Sequence, residues 1–172
     1  SSRKTIYGIS DFKFRFWYRY VFANRTLIET GAQQAVWAKR IEPDYNTYMG
    51  LIFEKVCTDY LCVKNANGEL PILFTSVGRW WGTNPVTHGQ EEIDLVANDG
   101  KDYIFGECKW RNEKLDLSVL RELKEKADIF CKNRSNTYYA LFSKSGFTEA
   151  VINEAKSDRN IMLFDLNEIM NF

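Results

Sequence analysis

Asp94, Glu107 and Lys109 are the residues whose types and spacing could do chemistry. They sit in Glu92–Trp110, EIDLVANDGKDYIFGECKW. This stretch reads as a β-hairpin: Glu92–Ala97 and Asp102–Trp110 have strand composition and flank Asn98-Asp99-Gly100, a turn signal. Side chains alternate along a strand, so Glu107 and Lys109 point the same way. A two-residue turn at Asp99-Gly100 would pair Asn98 with Lys101 and set Asp94 opposite Phe105. Opposed residues share a face, which brings Asp94, Glu107 and Lys109 together. Ile93, Leu95 and Ala97 would then face Ile104, Gly106 and Cys108 on the core side. A change of register by one residue would send Asp94 to the opposite face.

Two carboxylates and a lysine are costly to bury without partners. A hard divalent cation, Mg²⁺ or Mn²⁺, would offset the repulsion, since Mg²⁺ takes oxygen ligands, commonly one or two carboxylates completed by water and phosphate. The lysine would orient a water or stabilise developing negative charge. The plainer reading of the same pattern is a wet sheet face with one salt bridge. Spacing alone leaves both open.

The rest of the chain must position this hairpin. It has 172 residues, 45% of them apolar and 15% aromatic, enough for about one domain with a real core. Lys+Arg and Asp+Glu both number 23, so there is no basic surplus of the kind a dedicated nucleic-acid binder carries, although a local basic groove fits the balance. Cys57, Cys62, Cys108 and Cys131 form no CxxC pair, and one histidine, His88 in a polar loop, leaves no zinc set. The cysteines read as inert thiols in a reducing compartment. No apolar run reaches membrane-spanning length and no signal peptide is present, so a cytoplasmic location without membrane contact is expected. There is no GxxxxGK[ST], GxGxxG or GxSxG pattern, which argues against a phosphate-loop ATPase, a dinucleotide-binding oxidoreductase and an α/β-hydrolase. The start at Ser-Ser-Arg suggests a piece of a longer protein.

In chain order, residues 1–10 read as an extended lead-in. Asp11 is placed to cap a helix to about Asn24, although the alternation of Phe12, Phe14 and Phe16 with Lys13 and Arg15 also suits a strand. A second helix is expected over Thr26–Ile41, broken near Gly31 and ended by Pro43, and a third over Thr47–Val63 with Glu54 beside its apolar stripe. Leu73–Gly82 reads as a strand on which Arg79, Trp80 and Trp81 are adjacent, the tryptophans on opposite faces. After the hairpin, Asp116 or Ser118 caps a helix to about Lys132, buried through Leu117, Leu120, Leu123, Ala127 and Phe130. Arg121, Lys124 and Lys132 on its charged side are candidates for phosphate contact. A strand at Thr137–Ser143, a helix at Phe147–Lys156 and a strand at Ile161–Leu166 complete an α/β mixed sheet flanked by helices, parallel in its last part.

This order, with Asp94 on the second strand and Glu107-Cys108-Lys109 on the third, resembles the PD-(D/E)XK nuclease superfamily. Gly50-Leu51-Ile52-Phe53-Glu54, Gly78-Arg79-Trp80-Trp81-Gly82, Glu92-Ile93-Asp94, Gly106-Glu107-Cys108-Lys109-Trp110 and Ser145-Gly146-Phe147-Thr148 follow one another in one order. Together they resemble the C-terminal domain of unknown function of archaeal-type AAA+ ATPases, from about Tyr7 to Thr148. The resemblance implies a restriction-endonuclease-like mixed central sheet, with residues 46–172 as the nuclease-fold domain and 1–45 as an aromatic helical lead-in packing on it. It implies Mg²⁺ (or Mn²⁺) held by Asp94, Glu107 and the backbone carbonyl of Cys108. Lys109 would act on the attacking water and Glu54 would complete a catalytic set of Glu54, Asp94, Glu107 and Lys109. Arg79, Trp80, Trp81, Trp110, Arg121 and Lys124 are possible substrate contacts.

The function implied is Mg²⁺-dependent hydrolysis of DNA phosphodiesters by the C-terminal part of an AAA+ ATPase. The ATP site would lie outside this chain, with an ATPase domain and a winged helix upstream. The alternative is a catalytically inactive domain of the same fold that binds nucleic acid or a partner protein and regulates the ATPase.

Overall fold

A computed structural model of the chain describes residues 11–130 and 134–171. The expected lead-in over 1–10, Cys131 and Lys132 lie outside the described residues. One compact unit ends at Ile52 and a second begins at Phe53. The expected break at 45/46 therefore falls within a continuous helix, α4 (Glu42–Ala66).

The first unit is helical. Asp11 caps α1 (Phe12–Phe16), its side chain accepting from the Phe14 N–H at 2.9 Å. The helix continues through a wider π-turn at Trp17–Val21 and a tight turn at Phe22–Asn24, so the strand option for the aromatic run is not taken. After α2 (Arg25–Glu29), Gly31 adopts a positive φ of 88°, a conformation that glycine tolerates without strain. Then come α3 (Gln33–Val36) and a second π-turn at Trp37–Ile41. Pro43 does not end a helix. It sits directly after the π-turn, whose widened bonding (the Glu42 N–H donates to the Trp37 carbonyl) carries the helix past the N–H that proline lacks. Tyr20, Val36, Ile41 and Tyr48 are this unit's buried cluster.

The second unit is a five-stranded sheet in the order β1-β2-β3-β4-β5. Its strands are β1 (Ser76–Thr83), β2 (Gln90–Asn98), β3 (Tyr103–Lys109), β4 (Thr137–Ser143) and β5 (Ile161–Asp165). β1, β2 and β3 pair antiparallel; β3–β4 and β4–β5 pair parallel, as the strand–helix–strand order requires. One face packs on the second half of α4, where Phe53, Cys57, Tyr60 and Leu61 follow helical spacing and meet Leu95, Ala97, Ile104, Ala140 and Phe142. The other face packs on α5 (Leu117–Phe130) and α6 (Glu149–Ser157), through Val119, Leu120, Leu123, Ala127 and Val151 against Ile93, Val96, Phe105 and Leu141. With both faces covered, β3 and β4 read as continuous apolar runs. The wet-face reading of the hairpin therefore fails where Phe105 lies fully buried.

Two details of the hairpin depart from expectation. The turn is longer: Asn98 pairs with Tyr103, not Lys101, and Leu95 with Gly106. Asp99 explains this, because its Oδ1 accepts from both the Lys101 and Asp102 N–H groups at 2.9 Å while Gly100 turns at φ 98°. The register thus slips by two residues, which keeps the parity of the faces. The second departure is a bulge. β1–β2 pairing runs through Gly78–Val96 and resumes at Trp80–Ile93, so Arg79 alone opposes both Asp94 and Leu95. Alternation breaks there. Ile93 joins Val96 on the α5 side instead of sharing a face with Leu95 and Ala97.

Candidate functional site

The bulge and the end of the β2–β3 ladder create the site. The ladder stops at Leu95–Gly106. Beyond it the Cys108 N–H donates to Asp94 Oδ2 at 2.9 Å, where a strand carbonyl would otherwise accept. Asp94 thus approaches Glu107 through the gap between the strands and not across a common face. On β3, Glu107 is only 5% exposed, and burial on this scale demands partners. Lys109 Nζ donates to its Oε1 at 2.6 Å. Lys126, on α5, lies 3.5 Å from its Oε2, an atom that is buried and accepts no hydrogen bond.

Arg79 gathers the remaining carboxylates. Its Nη2 lies 3.4 Å from Glu54 Oε2 and 3.9 Å from Asp94 Oδ1, and it contacts Glu92 Oε1. Four carboxylates and three cations therefore form one cluster, with Glu54 delivered by α4, Arg79 by β1, Glu92 and Asp94 by β2, Glu107 and Lys109 by β3 and Lys126 by α5.

The electrostatics follow from burial and crowding. Burial, then the Glu107 charge, pushes the Asp94 carboxyl up to about 6, against the pull of the Cys108 N–H, Lys109 and Arg79. Burial, then the Asp94 charge, pushes Glu54 up to about 7, with Glu92 and Glu107 adding and Arg79 opposing. For Lys109, burial works downward, but the charge and hydrogen bond of Glu107 outweigh it and hold the ammonium above its ordinary value. Burial also raises the Cys108 thiol well above the usual range, helped by its neighbour Cys57, which fits the reading of these two cysteines as inert.

The sequence-derived set Glu54, Asp94, Glu107 and Lys109 is thus brought together, and Arg79 with it. The other expected substrate contacts have different partners or are exposed. Trp80 packs edge-on against Phe130 at 5.5 Å, and Trp81 is 60% exposed on β1. Trp110 packs on Phe53 at 5.4 Å and carries Lys144 over its ring at 4.8 Å. Arg121 is exposed. Lys124 pairs with Asp158 at 3.7 Å and lies over the Tyr139 ring. Sequence reasoning missed Glu92 and Lys126 as members of the cluster. Lys126 had a signal: it is three residues after Leu123 and seven after Val119, both buried, so a helix turns it toward the sheet.

Among the described residues, no three His, Cys, Asp or Glu side chains are arranged to hold a metal ion. The donors suit a sparser site. Asp94 and Glu107 offer two carboxylates, and Glu107 Oε2 has no hydrogen bond to lose. Mg²⁺ is commonly bound by one or two carboxylates with water and substrate phosphate completing the shell, so the residues present fit it.

Residues 17–129 match a family of archaeal and bacterial proteins of unknown function, DUF234, and the chain belongs to that family. It is similar to an uncharacterized protein of Methanocaldococcus jannaschii, 36% identical over 171 residues. The match covers 97% of this chain and 35% of that relative, so the chain spans about a third of the relative's length. No solved structure matches the chain. Among the described residues no helix is long and apolar enough to cross a membrane.

Proposed function

We propose that this member of the family is a restriction-endonuclease-like domain of the PD-(D/E)XK type that hydrolyses DNA phosphodiesters with Mg²⁺ or Mn²⁺, in the cytoplasm, as the C-terminal part of an AAA+ ATPase. The observation that carries the reading is the meeting of Asp94, Glu107 and Lys109 where β2 and β3 separate. Asp94 and Glu107, with the Cys108 carbonyl, would hold the cation. When bound it would supply Lewis acidity toward the phosphate and a more acidic water. Lys109, anchored on Glu107 Oε1, is placed to orient the attacking water or to offset charge on the phosphate oxygens as it builds. Glu54, with its raised pKa, is placed to accept or return a proton near neutral pH.

A second reading has a specific observation behind it. Arg79, Lys109 and Lys126 already give each of the four carboxylates a cationic neighbour within 4 Å, as would suit a domain that has kept the fold and regulates its ATPase by binding nucleic acid or a protein. One experiment separates the two. The domain is incubated with single-stranded, duplex and branched DNA in Mg²⁺ or Mn²⁺, beside Glu107→Ala. The nuclease reading expects cleavage that is lost with the variant and with chelator. Absence of cleavage by the folded protein joined to its ATPase would favour the regulatory reading.

A further inference from the structure

Lys126 is the member of the cluster that neither the hairpin motif nor the resemblance supplies. Its position is built. The α5 stripe of Val119, Leu123 and Ala127 is buried against the sheet, and Lys126 runs beside that stripe, its side chain 20% exposed. A lysine there lays its apolar stem along the core and delivers its ammonium at the stem's end. The two lysines do not hold Glu107 alike. Lys109 makes a 2.6 Å hydrogen bond to Oε1, whereas Lys126 stands 3.5 Å from Oε2, which accepts no hydrogen bond. Oε2 is therefore the less committed oxygen, and the one a cation can take with least disruption.

The ammonium also has somewhere to go. Lys126 lines an open groove of about 200 Å³ together with Asn84, Glu91, Glu122 and Glu125. Three further carboxylates border that groove, and a flexible four-carbon stem can turn to them.

We propose that Lys126 is a positioning residue acting through Glu107: its ammonium stands in for a divalent cation at Oε2 and yields that oxygen when the cation binds. The inference rests on the metal-site reading of Asp94 and Glu107. Without the cation, Lys126 keeps the buried Glu107 carboxylate paired and oriented. In the loaded site it moves to the acidic groove, so it competes with the metal for one oxygen.

The test is Mn²⁺ binding, followed by the loss of free-Mn²⁺ EPR signal, for the wild-type chain, Glu107→Gln, Lys126→Met and Lys126→Arg. Thermal unfolding of each variant establishes that it is folded. Losing a second-sphere partner that supports a metal commonly costs about 10–100-fold in affinity; losing a cation that competes with it should act in the opposite sense, and we expect Lys126→Met to bind Mn²⁺ about tenfold tighter than wild type. Lys126→Arg, which keeps the competing charge, is expected to stay close to wild type. A merely structural lysine would give weaker or unchanged binding when removed. If Glu107→Gln weakens Mn²⁺ binding but Lys126→Met does not tighten it, the role given to Lys126 is overturned and the metal site stands. If Glu107→Gln binds Mn²⁺ as wild type does, the metal-site reading itself is overturned.

Discussion

Glu54→Gln should make the protein relatively more stable as pH rises, and the sign follows from burial. The Glu54 carboxyl is pushed from 4.5 up to about 7 in the folded chain, mainly by desolvation and next by Asp94. A folded-state pKa above the unfolded one means that the native state binds the extra proton. The stability this contributes is full below pH 4.5 and is lost as pH rises through about 7. The opposing pull of Arg79 is already contained in that value. At about 1.4 kcal/mol per pH unit the shift is worth roughly 3 kcal/mol. With the side chain 23% exposed, solvent screening reduces this to about 2–3 kcal/mol. Glutamine keeps the shape and does not ionise, so the unfolding free energy of the variant minus that of wild type should rise by that amount from pH 4 to pH 8. For a chain of this size that is roughly 5–10 °C in Tm. The assay is urea or thermal unfolding of both proteins in EDTA across this range. A difference that stays flat, or falls with pH, would refute the claim that crowded, desolvated carboxylates dominate the cluster.

Other outcomes follow from packing. At Gly82 an added Cβ would run into the Trp80 indole, so Gly82→Ala should cost about 1–3 kcal/mol through overpacking and alter tryptophan emission; an unchanged spectrum and Tm would contradict the packing of Trp80 over this glycine. Leu123 is fully buried between α5 and the sheet, and Leu123→Ala should lower the urea-unfolding free energy by about 2–5 kcal/mol. A cost below about 1 kcal/mol would mean that α5 does not cover this face as described.

Much of the architecture was legible because hydrophobic period and turn chemistry report directly on elements. Thr137–Ser143 falls on its strand residue for residue, and Asp11 caps its helix as its type suggests. Pro43 misled because a proline usually ends a helix, yet a π-turn just before it can carry the helix through, and a single sequence does not mark where a turn will widen. The hairpin misled because Asp99 can hold a longer turn through its own carboxylate, an option that Asn98-Asp99-Gly100 does not exclude. The bulge at Asp94 and Leu95 leaves no mark in a single sequence, because it is a property of two strands at once. It moves Ile93 to the other face while the carboxylates still meet. For the site, Asp94, Glu107, Lys109 and Glu54 could be named from type and order. Arg79 was expected as a substrate contact; the structure sets it among Glu54, Glu92 and Asp94 as their counter-ion, a set of partners that tertiary placement decides.

Asp94 and Glu107 are proposed to hold a catalytic divalent cation between them. The most direct measurement is anomalous diffraction at the manganese edge from crystals of the chain grown with Mn²⁺. A peak is expected within coordination distance of both carboxylates and of the Cys108 carbonyl, with Lys126 turned away from Glu107. A structure at saturating Mn²⁺ with no peak there, and with Lys109 and Lys126 still closed on Glu107, would contradict that proposal.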